Sequence, residues 1–334
     1  MEPTPPKPKE ALFYEKLQDK KVKCLLCPRK CYITENSTGF CRVRKNLKGK
    51  LYSLVYSKPC ALSIDPIEKK PLFHFLPGTT ALSIATCGCN LSCAFCQNYK
   101  ISQGEIFGDF VPPEKVIELA KEHKVKTIAY TYTEPTIFYE YALDIMKLAK
   151  KEGLKNIWVS NGYINKTPIK KLAPYLDAIN IDIKGPERLY STLCLGSLKP
   201  VLESILEYKK HNIWIELTSL IIPGHNDSKK WINYISSWIK NNLGPETPLH
   251  LSRFHPDYKL SDLEPTKIQV LKDLFKEAKK KLKYVYIGNV FEPEYESTFC
   301  PSCGNLIIKR QGYEVDFKYS KCRKCNALLA GIFD

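Results

Sequence analysis

The chain has 334 residues with a formal net charge of +16, and 44% of its residues are hydrophobic. No apolar run is as long as a membrane span, and the proline-rich start MEPTPPKPKE lacks the apolar core of a secretory signal. We therefore expect a cytoplasmic protein without a membrane partner, built from one large domain and small appendages. The positive charge makes nucleic acid an alternative partner, but the lysines are scattered over helix-like segments, which does not favour it.

The N-terminal part of the chain contains the first of three cysteine groups. We expect a flexible tail over residues 1–10, because its prolines and charges leave little to bury. Residues 11–78 form a predicted cysteine-rich module that ends in a cover loop over 65–78. The four cysteines have the spacing C-x2-C-x3-C-x9-C, which suits either a closed zinc site or an auxiliary iron–sulfur cluster. They are Cys24, Cys27, Cys31 and Cys41.

The second cysteine group follows the first strand of the largest predicted domain, over 79–296. Cys89, Cys93 and Cys96 have the spacing C-x3-C-x2-C, and Phe95 precedes the last of them. Iron–sulfur clusters are usually held by four thiolates, so three thiolates suggest a 4Fe–4S cluster with one iron open to another ligand. Zinc is the alternative, but it usually takes paired C-x2-C knuckles and four protein ligands. No fourth ligand lies within this loop, which favours the iron–sulfur interpretation.

Short apolar runs alternate with longer amphipathic stretches along this large domain. The predicted strands are 81–86, 127–132, 156–160, 178–183, 213–222, 248–254 and 284–289. The predicted helices are 113–124, 138–153, 167–176, 198–211, 228–242 and 265–281. This alternation predicts parallel strands with helices outside them, an α/β fold with a partial (β/α)6 TIM-like barrel.

Polar side chains follow several of these strands. Glu134 comes after the second strand, Asn161 after the third, Asp182 and Lys184 at the end of the fourth, and His255 after the sixth. The active site of such a barrel lies at the carboxyl ends of its strands. We therefore expect these side chains to surround the same site as the cysteine loop.

Residues 297–334 depart from this alternation and contain the third cysteine group. Two C-x2-C pairs separated by eighteen residues predict a zinc ribbon, with an auxiliary iron–sulfur cluster as the alternative. These cysteines are Cys300, Cys303, Cys322 and Cys325. The remaining three, Cys60, Cys87 and Cys194, are expected to be small buried apolar residues.

The motifs together resemble the radical S-adenosylmethionine (SAM) enzymes. The branch that contains the pyruvate formate-lyase activating enzymes, and within it the AmmeMemoRadiSam system group, is the most similar. The matching text covers nearly the whole length. It comprises CLLCPRKC (24–31), GFCRVR (39–44), DPIEKKPLFHFLPG (65–78), GCNLSCAFCQNYKIS (88–102), AYTYTEPTIFYEY (129–141), SNGYI (160–164), NIDIKG (180–185), CPSCG (300–304) and CRKC (322–325).

The resemblance implies a cofactor set and roles for the residues already named. Cys89, Cys93 and Cys96 would bind a 4Fe–4S cluster whose open iron chelates SAM, and one electron would cleave SAM to methionine and a 5′-deoxyadenosyl radical. Glu134 lies in the counterpart of a Gly-Gly-Glu motif that holds the amino group of SAM, although Tyr132 and Thr133 replace the two glycines.

The other implied SAM contacts lie further along the barrel. Asp182 and Lys184 resemble an Asp-x-Lys pair beside SAM, and His255 resembles a histidine on the adenosine side. Asn161 is a further candidate contact. The electron would come from a donor such as ferredoxin or flavodoxin.

The sequence thus predicts a radical SAM oxidoreductase that abstracts a hydrogen atom from its substrate. In the activating enzymes that substrate is a glycine of a partner protein, which makes a protein substrate our expectation. Two alternatives remain, an RNA-modifying radical SAM enzyme and a non-catalytic module with zinc at all three sites.

Overall fold

The computed structural model of the protein describes residues 8–334. Residues 1–7, most of the predicted tail, lie outside the described residues. The N-terminal module contains six short strands, and the first of them takes in the last two residues of the predicted tail, which pair with the sixth strand. They are β1 (Lys9–Glu10), β2 (Tyr14–Lys16), β3 (Val22–Cys24), β4 (Tyr32–Ile33), β5 (Arg44–Leu47) and β6 (Lys50–Ser53). They form two small antiparallel sheets, ordered β1-β6-β5 and β2-β3-β4.

A sheet of eight strands forms the centre of the molecule. Its strands are β7 (Ala61–Pro66), β8 (Thr80–Ala85), β9 (Thr127–Tyr130), β10 (Lys155–Ser160), β11 (Ala178–Asp182), β12 (Trp214–Ile221), β13 (Leu249–Arg253) and β14 (Val285–Gly288). Strands β8 to β14 are parallel neighbours in chain order. The apolar strand runs reflect burial on both faces, as in β9, where all four residues are buried. The prediction of an α/β fold with a partial barrel is confirmed.

Helices connect these strands. They are α1 (Tyr99–Ser102), α2 (Pro113–Glu122), α3 (Tyr139–Lys151), α4 (Lys166–Leu172), α5 (Glu187–Leu189), α6 (Leu198–Lys210), α7 (Lys229–Asn242) and α8 (Ile268–Lys279). The long ones bury one apolar face against the sheet, as α8 does with Leu271, Leu274 and Ala278. Short 3-10 turns occupy Ile67–Lys69, Pro135–Phe138, Ala173–Tyr175 and Tyr258–Leu260, and a π-helical turn occupies Tyr190–Cys194.

Strand β7 was not among the predicted strands. It pairs antiparallel with β8 and adds an edge strand ahead of the predicted barrel start at residue 79. At the other edge lies β14, and the two edge strands are not hydrogen-bonded to each other. The barrel is therefore open on one side, along a seam between β7 and β14.

The C-terminal module comprises α9 (Pro293–Glu296), β15 (Thr298–Phe299), β16 (Leu306–Gln311) and β17 (Glu314–Asp316). It packs on the cover loop: the Arg310 guanidinium donates to the Phe73 carbonyl at 2.6 Å, and His74 Nδ1 lies 2.6 Å from the Ala330 carbonyl. The buried carboxylate of Glu216 accepts from the backbone N–H groups of Phe73 and His74. These bonds fix the cover loop against β12 and the C-terminal module. Within residues 8–334, no helix is both long and apolar enough to cross a membrane.

Candidate active site

A cavity of about 470 Å³ lies at the carboxyl ends of the barrel strands. Volumes in this range hold a cofactor-sized ligand. Side chains from the cysteine loop and from the ends of successive strands line it. The lining includes Cys89, Cys93, Phe95, Cys96, Glu134, Ser160, Asn161, Asp182, Lys184, Thr218, Ser252 and Asn289. The cysteine loop and four of the five predicted SAM contacts therefore share one cavity.

The three thiols of the cysteine loop lie on one wall of this cavity. The loop leaves β8 after Ala85 and ends where α1 begins at Tyr99. Cys89 Sγ accepts the Leu91 N–H at 3.4 Å and lies 3.7 Å from Asn161 Nδ2, while Cys96 Sγ is 3.2 Å from Ser102 Oγ. Burial raises the pKa of the Cys89 thiol well above its usual value, so this thiol is held protonated until a metal displaces the proton.

This arrangement fits a cubane cluster with one open iron. Three cysteines, and no fourth, line the described cavity, and most of the other lining residues are polar or charged. Hydrogen bonds to the ligand sulfurs are typical of iron–sulfur sites, where they tune the reduction potential. A closed zinc site would need a fourth protein ligand on the same wall.

Glu134 lies beside this wall as a buried carboxylate that accepts hydrogen bonds. Its Oε1 accepts the backbone N–H of Thr136 at 3.0 Å, the Thr136 hydroxyl at 2.5 Å and the Ser160 hydroxyl at 2.9 Å. Its Oε2 accepts only the Asn161 N–H, at 2.8 Å. Burial raises the pKa of Glu134, and these donors oppose that shift. A carboxylate has about four acceptor sites, so Oε2 retains one for a donor in the cavity.

Asp182 and Lys184 supply the opposite pair of charges at the end of β11. Lys184 Nζ lies 2.9 Å from Asp182 Oδ2, with 14% of the Lys184 side chain and 37% of the Asp182 side chain exposed. Burial disfavours the charge on Lys184, but Asp182, Cys93 and Cys194 together outweigh burial and raise the pKa of Lys184 well above its usual value. The wall therefore presents a Lys184 ammonium that is charged at neutral pH.

Asn161 connects the third strand to the cysteine loop. Its Nδ2 donates to Asn90 Oδ1 at 2.9 Å, and its Oδ1 accepts the Tyr163 N–H at 2.8 Å. Asn90 in turn donates to the Tyr163 carbonyl at 2.7 Å. Sequence reasoning did not find Asn90, because an asparagine between two ligands has no distinguishing spacing.

His255 does not join the cavity. Strand β13 ends at Arg253, the next residue Phe254 is fully buried, and His255 then lies on the exposed side of the turn. The structure instead places Cys194 behind the site, since it is buried and its backbone carbonyl accepts the Ser92 N–H at 3.0 Å. The expectation that Cys194 is a buried residue is confirmed, although its position beside a candidate ligand was not foreseen.

The C-terminal cysteines form a compact second site. Their four Sγ atoms lie within 4.8 Å of one another, with 3.5 Å between those of Cys300 and Cys325 and 3.6 Å between those of Cys303 and Cys322. Four sulfurs about 2.3 Å from a zinc ion would lie about 3.8 Å apart. The cluster fits a zinc-ribbon module and can bind a metal ion.

Comparison with known proteins agrees with this geometry. The model of the radical SAM superfamily matches residues 83–234. An uncharacterized protein of Methanocaldococcus jannaschii, MJ0808, is 47% identical over 326 residues, which is 95% of this chain and 97% of that protein. A probable GTP 3′,8-cyclase of Pyrococcus horikoshii is 26% identical over 67% of this chain and 78% of its own length.

A solved structure shows the same fold. Streptococcus suis SuiB superposes with a TM-score of 0.50 at 12% identity, over 67% of this chain and 52% of that one.

The open parallel barrel and the three-thiol cavity at its strand ends define an iron–sulfur enzyme of SAM chemistry. The chain belongs to the radical SAM superfamily. Membership implies a 4Fe–4S cluster, SAM and its reductive cleavage, together with an electron donor. It also makes the chain an enzyme rather than a non-catalytic zinc module.

Proposed function

We propose that the chain uses this site to abstract a hydrogen atom from a partner protein. The observation that carries the proposal is the single cavity in which Cys89, Cys93 and Cys96 face the charged side chains of Glu134 and Lys184. When bound, the cluster supplies the electron that cleaves SAM. The chain's own residues bind the cofactors, orient them and exclude water from the reactive carbon.

The charges along the cavity suit the methionine part of SAM. Glu134 Oε2 would accept from the ammonium group, since it has one acceptor site left and is aligned by Thr136 and Ser160. Lys184 would pair with the carboxylate, and Asp182 and Asn161 would complete the polar wall. Hydrogen bonds that involve a charged group are worth about 1.5–3 kcal/mol each, so each contact is measurable on its own.

The open seam supports a macromolecular substrate. The cavity reaches Lys69 on the cover loop, Asn289 after β14 and Tyr313 at the tip of the β16–β17 hairpin. A side opening between edge strands admits a loop of another chain more readily than a closed pocket does. We propose that residues 11–78 and 297–334 are modules around the barrel of 79–296, and that the ribbon borders the entry path. A glycine Cα–H, as in the activating enzymes, is the first substrate group to test.

The first experiment measures 5′-deoxyadenosine. Anaerobically reconstituted protein, reduced with dithionite, should form it from SAM, and Cys93→Ala should not. A macromolecular extract of the source organism should accelerate this reaction, and protease treatment of the extract should remove the acceleration. Acceleration that survives protease but is lost on RNase treatment would overturn the protein substrate. Absence of 5′-deoxyadenosine from protein that contains iron and sulfide would overturn the proposed chemistry.

The net charge of +16 supports a second candidate, an RNA-modifying enzyme. Binding through phosphate contacts weakens steeply with salt, because counterions are released. If the second candidate holds, the protein will retain transfer RNA at moderate salt and RNase will abolish stimulation. If the first holds, retention will vanish between about 50 and 200 mM salt.

A further inference from the structure

The four N-terminal cysteines converge on a second, smaller cavity. They line it together with apolar side chains and a few polar ones from the barrel. The lining includes Cys24, Cys27, Cys31, Cys41, Leu26, Ile33, Arg44, Asn90 and Thr136. No part of the proposed function uses these thiols.

The spacing of the thiols distinguishes one metal ion from a cluster. Around zinc, four sulfurs lie about 2.3 Å from the centre and therefore about 3.8 Å from one another. The C-terminal cysteines have that compact geometry and, among residues 8–334, are the one group close enough for a single ion. The Sγ atoms of the four N-terminal cysteines do not all lie within 4.8 Å of one another, so they form a wider site. A cubane of four irons and four sulfides holds its thiolates further apart than one zinc ion does, with one thiolate on each iron, which is the usual set of four.

The surroundings of the cavity suit an anionic cluster. Arg44 is 1% exposed and lines the cavity, and among the described residues its Nε has no hydrogen-bond partner. Its remaining nitrogens are held by the Glu140 carboxylate at 3.0 Å and the Leu12 carbonyl at 2.6 Å, which fixes the guanidinium in place. The Phe40 N–H points to Cys31 Sγ at 3.5 Å. A buried cation and a donor to sulfur both stabilise thiolate-bound metal.

The two cysteine sites share a wall. Asn90 lines the small cavity and accepts from Asn161, whose same nitrogen lies 3.7 Å from Cys89 Sγ. A Cβ at Gly88 would stand 2.9 Å from the Cys41 carbonyl, so the backbones of the two ligand loops touch. Arg29 strengthens the contact by donating to the Asn90 carbonyl at 2.6 Å.

We propose that Cys24, Cys27, Cys31 and Cys41 hold a second 4Fe–4S cluster, fully ligated by cysteine, that relays electrons to the SAM site. It would take one electron from a low-potential donor protein and give one electron across Asn90, and SAM cleavage would consume that electron. The identity of the cluster is independent of the proposed function, whereas the relay rests on it.

The test separates the two clusters by mutation. The triple variant Cys89→Ala/Cys93→Ala/Cys96→Ala, reconstituted anaerobically with iron and sulfide, should contain about four irons and four sulfides per chain. After dithionite reduction, the triple variant should give an iron–sulfur signal in electron paramagnetic resonance that SAM does not change. The wild type should contain about eight irons, which checks the count if the triple variant folds poorly. Zinc without sulfide at this site, or no metal there, would overturn the proposal.

A second variant tests the relay. In the variant Cys24→Ser/Cys27→Ser, the resonance signal of the remaining cluster should still change on addition of SAM after reduction with dithionite. Dithionite is a small reductant that reaches the SAM site directly. Reduction of that signal by flavodoxin should slow at least tenfold. Equal rates of reduction by flavodoxin in variant and wild type would refute the relay and leave the cluster assignment intact. If SAM does not change the iron–sulfur resonance signal of the wild type, the proposed function fails instead.

Discussion

Replacing Glu134 with glutamine separates binding of SAM from support of the loop that holds it. In the native chain Oε1 accepts three hydrogen bonds and Oε2 accepts one from the Asn161 N–H. An amide oxygen at the Oε1 position keeps its three donors, but the amide nitrogen then faces the Asn161 N–H. The new amide N–H and the Asn161 N–H are then two donors that face each other without an acceptor, at a residue that is only 1% exposed. One charged hydrogen bond is lost, which costs about 1.5–3 kcal/mol of folding stability.

The same substitution removes the negative charge proposed to face the SAM ammonium. We expect the Kd for SAM to rise about 10- to 100-fold, which corresponds to the same range of free energy. Equilibrium dialysis with anaerobically reconstituted protein measures this Kd, and urea unfolding measures the stability. The control is Thr136→Val, which removes only the hydroxyl bond of 2.5 Å to the same carboxylate and should cost about 1.5–3 kcal/mol of stability with little change in Kd.

Two results would refute this reasoning. If Glu134→Gln is destabilised but binds SAM as the wild type does, Glu134 only supports the turn. If Thr136→Val weakens SAM binding equally, the effect passes through loop geometry rather than charge.

Three further predictions concern other parts of the chain. Cys93→Ala should lose 5′-deoxyadenosine formation but keep the C-terminal metal, as metal analysis of the purified variant would show; loss of both would contradict independent sites. Cys303→Ser should lose about one zinc per chain while SAM cleavage persists, and retained zinc would argue against a ribbon site. Burial lowers the pKa of His74 from 6.5 to about 4, so the unfolded chain takes up the proton first as the pH falls, and stability should drop by about 3 kcal/mol between pH 6.5 and 4. His74→Gln should flatten that part of the stability curve measured by urea unfolding, and an unchanged slope would assign it to the Glu216 carboxylate that faces His74.

Local spacing made much of the barrel and its site predictable. The C-x3-C-x2-C spacing fixes three thiols in one loop, and strand–helix alternation places Glu134, Asp182 and Lys184 at the same end of the sheet as that loop. These inferences need only the alternation of side chains along a strand and the rule that the carboxyl ends of parallel strands lie at the same edge of the sheet.

Features that depend on distant partners were not predictable. Strand β7 has only one buried position in six, and it becomes a strand because β8 offers a free edge. In the sequence, Glu216 is a polar residue within an apolar strand, which would predict exposure. It is fully buried, because His250 and the backbone N–H groups of Phe73 and His74 all donate to its carboxylate. The exposure of His255 likewise depends on how Phe254 packs.

The contacts between cover loop and C-terminal module have a consequence for synthesis of the chain. His74 bonds to Ala330, 256 residues later, and Phe73 bonds to Arg310, 237 residues later. At roughly 5–20 residues per second, a ribosome needs on the order of tens of seconds to supply the partners of this loop. Until then the cover loop has apolar surface and polar groups without their final neighbours. The nascent chain therefore passes through an interval in which the N-terminal cysteines and the cysteine loop have both been synthesised but the cover loop still lacks its C-terminal partners.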